Sequence, residues 1–61
     1  MWFTLSALGS DLEAPGEAAV QGGLTDAIRA AEDMLERDPA CEAVEIFGEG
    51  HFLGDLKRRL N

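Results

Sequence analysis

Residues 24 to 47 read LTDAIRAAEDMLERDPACEAVEIF, and the hydrophobic period changes inside them. Up to Leu35 the apolar residues recur every three or four positions: Leu24, Ala27, Ile28, Ala31, Met34 and Leu35. That spacing puts one apolar stripe along a helix. Arg29, Glu32, Asp33, Glu36 and Arg37 fall on the opposite face. Thr25 is the expected N-cap, and Asp26 puts a negative charge in the first turn, where the helix dipole favours it. Asp38-Pro39 ends the helix, because a residue before proline avoids the helical region. After the proline the period becomes two. Val44 and Ile46 point one way, and Ala43, Glu45 and Phe47 the other, so residues 41 to 47 form a strand.

Working outward, residues 2 to 8, WFTLSAL, alternate in the same way and predict a second strand. Phe3, Leu5 and Ala7 share one face; Trp2, Thr4 and Ser6 share the other. The stretch GSDLEAPGE gathers turn-forming residues and predicts a loop. Residues 18 to 21 form a short strand returning on the first. Gly22 and Gly23 break the chain before the helix. Past Phe47, Gly48-Glu49-Gly50-His51 joins the strand to a last apolar run, which continues extended to about residue 58 as the second arm of a hairpin. A helix over DLKRRL is the alternative for that run.

The expected fold is therefore α+β: a small antiparallel sheet of three or four strands packed against one helix, ββαββ or βαββ, in a single domain over residues 1–61. One helix covers one face of such a sheet. Phe3, Leu5, Val44 and Ile46 face it. Trp2, Phe47 and Phe52 or Leu56 occupy the uncovered face, and apolar patches of that kind mark interfaces.

Size and charge narrow the function. A chain of 61 residues buries only about 60% of the surface its unfolded form exposes. Small domains offset this with disulfides, metals or oligomerisation. Cys41 is the only cysteine and His51 the only histidine, so neither an internal disulfide nor a Cys/His metal cage can be built. Self-association as a homodimer or higher even oligomer is the expected support. The net charge is −7, and residues 1 to 56 hold all 12 acids against two bases, Arg29 and Arg37, a net of −10. Such a body repels phosphate backbones, so no direct nucleic-acid binding is expected. Lys57, Arg58 and Arg59 form the basic end, expected to lie beside acidic neighbours. No stretch approaches the about 20 apolar residues of a membrane span. The lone cysteine and the lack of a signal-peptide pattern at the start point to the cytoplasm.

No residue pattern marks an enzyme, and no cofactor is expected. His51 lies among glycines without a nucleophile to activate, and the reading is a turn residue. Gly22 and Gly23, ahead of the helix, are the better anion site, though they lack the lysine of a phosphate loop. With His51 they form the candidate ligand site, at a dimer interface. Cys41 has the acidic sequence neighbours Asp38, Glu42 and Glu45, which do not favour a reactive thiol; packing explains it. The many carboxylates read as a solvated face. Trp2, Phe47 and Phe52 are the candidate partner interface, since aromatic residues dominate interface energetics.

One family likeness exists. Residues 15 to 31, PGEAAVQGGLTDAIRAA, resemble the segment of HicB-type antitoxins in which a Pro-Gly turn leads through a short strand to a threonine and a helix. The likeness covers under a third of the chain and rests on turn and cap signals. It implies an antitoxin-like acidic protein with a basic protein partner.

Overall fold

The computed structural model describes residues 1–10, 12 and 16–58. Much of the loop read at GSDLEAPGE, with the proline of its Pro-Gly turn, lies outside the described residues, as does Arg59. The order is β1 (Trp2–Leu8), β2 (Glu17–Gln21), α1 (Leu24–Arg37), β3 (Ala43–Gly48) and β4 (His51–Lys57). The four strands form one antiparallel sheet in the order β2-β1-β3-β4. This is the ββαββ plan. The C-terminal run is a strand, as the hairpin reading required, and not a helix.

The alternation in β1 and β3 decides what is buried. Leu5 pairs with Ile46, Ala7 with Val44 and Phe3 with Gly48. Phe3, Leu5, Val44 and Ile46 are all buried on the helix side. Against them the helix presents Ala27 and Ala31, both fully buried. Two small residues at the contact bring the helix axis close to the sheet. Ile28, Met34 and Leu35 flank them, and Val20 and Leu56 close the core from the outer strands. Full burial of a side chain such as Leu5 contributes about 2 kcal/mol. Cys41 is sealed in the same core, 1% exposed, with its Sγ 3.4 Å from the Ala43 carbonyl oxygen.

Two expectations for the helix are corrected. Thr25 is not the N-cap. The helix begins two residues earlier, at Leu24, and Gly23 caps it. Asp26 supplies the polar contact by reaching back, its carboxylate accepting the Gly23 N–H at 2.9 Å. A glycine in the cap position has no side chain to offer, so the carboxylate three residues on satisfies a free donor instead. Leu24 does not join the buried stripe. It is 50% exposed at the end of the helix, beyond the reach of the sheet. On the outer helix face Asp33 and Arg37 form an i,i+4 ion pair.

The helix C-terminus is closed by a residue far away in the chain. Asp38 ends the helix by donating its N–H to the Met34 carbonyl at 3.2 Å, and its Oδ1 accepts the Ala40 N–H at 3.0 Å. The Arg58 guanidinium, from the end of β4, donates to the carbonyls of Leu35, Asp38 (2.9 Å) and Cys41 (2.9 Å). The basic end was expected beside acidic neighbours. Arg58 instead binds main-chain carbonyls, where a cation also favours the negative end of the helix dipole.

Candidate interaction surface

The hairpin that carries His51 is tighter than its glycines suggest. Gly48 pairs with His51, so the turn is only Glu49-Gly50. Both residues have positive φ, 52° and 83°. That is the two-residue turn whose twist matches antiparallel strands. His51 stands exposed beside it. Beyond the turn, β4 carries one extra residue. Phe47 pairs with Phe52 and Ile46 with Gly54, which leaves Leu53 as a bulge. The bulge keeps Phe52 on the uncovered face and turns Leu53 to the helix side, against Gly48.

The pairing register lays out the uncovered face in rows across the strands. The first is aromatic: Ala19, Thr4, Phe47 and Phe52. The rings of Phe47 and Phe52 meet edge to face, 5.6 Å between centroids at 67°, a favourable geometry. Trp2, one step further along β1, is diagonal to Phe47. Trp2 is 59% exposed and Phe52 57%, while Phe47 is half-buried between its neighbours. The second row is acidic: Glu17, Ser6, Glu45 and Asp55. Glu45 and Asp55 stand directly opposite, an unfavourable cross-strand pair. The third row is Leu8, Ala43 and Lys57. There a shallow depression of about 390 Å³ opens to solvent, lined by Leu8, Glu42, Ala43, Lys57 and Arg58.

The structure thus brings Trp2, Phe47 and Phe52 to one end of one face. It does not bring Gly22, Gly23 and His51 together within one chain. All three lie at the same end of the sheet, where the Gly22 N–H bonds the Met1 carbonyl at 3.0 Å. They stand on opposite edges, however, since β2 and β4 are the outer strands. Three strand spacings of about 4.8 Å separate them by about 14 Å. The Gly23 N–H that would hold an anion already holds the Asp26 carboxylate.

Two features escaped sequence reading. The acidic row follows only from the register, which pairs Glu45 with Asp55 once the turn shrinks to two residues and Leu53 bulges. Arg58 binds carbonyls, which carry no sequence signature at all. Among the described residues no cluster of three or more His, Cys, Asp or Glu is placed to hold a metal ion. Among the described residues no helix is long and apolar enough to cross a membrane. No family model, no curated protein and no solved structure matches this chain.

Proposed function

We propose that this chain is a non-enzymatic, cytoplasmic protein-interaction module that associates with a second copy of itself through the aromatic end of its open sheet face. One observation carries the reading. Trp2 and Phe52, each more than half exposed, stand with Phe47 on the face that no helix covers. Burying such side chains in a well-packed contact is what drives association. The acidic row lies two residues further along β1, β2 and β3, and three along the bulged β4, about 7 Å away. It sets the overlap: two copies stack their aromatic ends and keep their carboxylates apart.

The test is the mass in solution. Trp2→Ser with Phe52→Ser removes apolar surface without touching the core, so the fold survives. Sedimentation velocity is expected to show an even-numbered oligomer for the natural sequence and a species of lower mass for the double variant, the 6.6 kDa chain being the smallest. A natural protein that sediments as a monomer, or a double variant whose mass is the same as that of the natural protein, overturns the reading.

A second reading, a basic protein partner, is favoured by the acidic row of Glu17, Glu45 and Asp55 beside the aromatic end. The third, an anion or small molecule held by Gly22, Gly23 and His51, needs residues from two copies, and Asp26 already fills its best donor.

A further inference from the structure

We propose that β4 is a second self-association surface, joining antiparallel to β4 of a second copy about a two-fold axis at Leu56, so that two four-stranded sheets become one of eight. This rests on the reading that the chain associates with itself and adds a separate place where it does so.

The first observation is that β4 is bare on its outer flank and poorly covered above. It is an edge strand of seven residues, and the helix packs over β1, β2 and β3. Phe52 on one side and Leu53 on the other are 57% and 52% exposed. Edge strands of this length template further pairing unless something blunts them. The bulge at Leu53 twists only the beginning of β4, next to the turn. From Gly54 to Lys57 the ladder is regular.

The second observation is which backbone groups are free. Arg58 donates its N–H inward, to the Glu42 carbonyl at 2.9 Å. Antiparallel ladders alternate, so Leu56 and Gly54 also bond toward β3. Asp55 and Lys57 therefore turn their N–H and C=O outward. A two-fold axis at Leu56 places Asp55 of one chain opposite Lys57 of the other, twice, as hydrogen-bonded pairs. Leu56 meets Leu56 of the second copy at the centre as a non-hydrogen-bonded pair. All partners then share a face, as an antiparallel register requires.

The third observation is charge. Asp-Leu-Lys is self-complementary when read antiparallel to itself, so each Asp55 gains a directly opposite cation on the open face. Within one chain Asp55 has Glu45 as its cross-strand partner, and the new lysine offsets that repulsion. Gly54 comes opposite Arg58 of the second copy. A side chain at Gly54 would meet open space, and Arg58 is turned inward to the helix end, so nothing collides. The β2 edge offers no such match: Glu17 would face Gln21 about a centre at Ala19.

Cross-linking separates this contact from the open-face contact. Leu56→Cys and Phe52→Cys are each made in a Cys41→Ala chain and oxidised at low concentration. Directly opposite residues in a non-hydrogen-bonded pair have Cα atoms about 4.5 Å apart, which lies within the span of a disulfide. A covalent dimer from Leu56→Cys is the expected result. A dimer from Phe52→Cys alone overturns the edge contact and leaves the open-face reading standing. No dimer from either, with a monomer in solution, overturns both. Charge reversal gives an independent check. Asp55→Lys or Lys57→Asp turns both ion pairs repulsive and is expected to weaken dimerisation about tenfold, while the double reversal restores it to within about threefold. Asp55→Lys also removes the clash with Glu45, so weaker dimerisation cannot be blamed on a damaged fold. Single reversals with unchanged dimerisation overturn the register.

Discussion

Arg58 is expected to hold the end of the helix to the end of the sheet, and its removal should be the most damaging single change outside the core. Its guanidinium reaches three carbonyls, those of Leu35, Asp38 and Cys41. These belong to the last helical turn and to the segment that turns the chain into β3. A hydrogen bond with a charged donor contributes about 1.5–3 kcal/mol. Three from one side chain do not add in full. Arg58 is also only partly buried, so the freed carbonyls regain water. Arg58→Ala is then expected to cost about 2–3 kcal/mol. In a domain this small each kcal/mol moves the melting temperature by about 4–8 °C, giving a fall of about 8–24 °C. Thermal denaturation followed by far-ultraviolet circular dichroism measures it. Protein concentration must be held fixed, because self-association raises apparent stability. Arg58→Lys supplies the control. It keeps the charge near the helix dipole but cannot reach three acceptors with one ammonium, so it should recover less than half the loss. A loss below about 0.5 kcal/mol for Arg58→Ala, or full recovery by Arg58→Lys, would refute the role given to the fork.

Two further outcomes follow from the backbone. A Cβ at Gly9 would lie 2.2 Å from the Ala40 carbonyl oxygen, main chain that cannot step aside, so Gly9→Ala should cost about 1–3 kcal/mol in a urea unfolding curve; an unchanged midpoint would show that the two segments are not in contact. Glu49 sits at φ 52°, a conformation that asparagine tolerates better, so Glu49→Asn should raise the unfolding midpoint by about 0.5–1 kcal/mol, and a lower midpoint would place a needed contact on the Glu49 side chain.

The architecture was legible because two periods dominate the chain. The stripe from Ala27 to Leu35 has no strand reading, and the alternation of Phe3, Leu5, Val44 and Ile46 has no helical one. Faces were legible for the same reason, and Trp2 and Phe47 stand where alternation put them. Ends were less so. Thr25 has the residue type of a cap, but the chain enters the helix two residues sooner because Asp26 can cap from inside. Leu24 fits the stripe by spacing, yet the sheet does not extend beneath it. For β4 the bulge at Leu53 breaks strict alternation, so the choice between Phe52 and Leu56 for the open face could not be made by counting. Phe52 lies there, and Leu56 packs toward the core. Arg58 could not have been assigned, since nothing local distinguishes an arginine that binds carbonyls from one that binds water.

The same geometry is the reason we propose association through this face and this edge. A helix with its side chains is about 10 Å across, whereas four strands at about 4.8 Å spacing are wider than one helix can cover. Short connections fix where the helix lies. Gly22 and Gly23 lead in from β2, and residues 38 to 42 lead out to β3. The helix therefore rides over β2, β1 and β3, and β4 is added beyond its reach by the Glu49-Gly50 turn. β4 nevertheless carries Phe52, Leu53 and Leu56, apolar residues that a solvated outer strand does not need. Their exposure is a consequence of this chain having one helix for four strands. Copies packed on the aromatic end and paired at the Leu56 edge would supply the burial that a second helix would otherwise give.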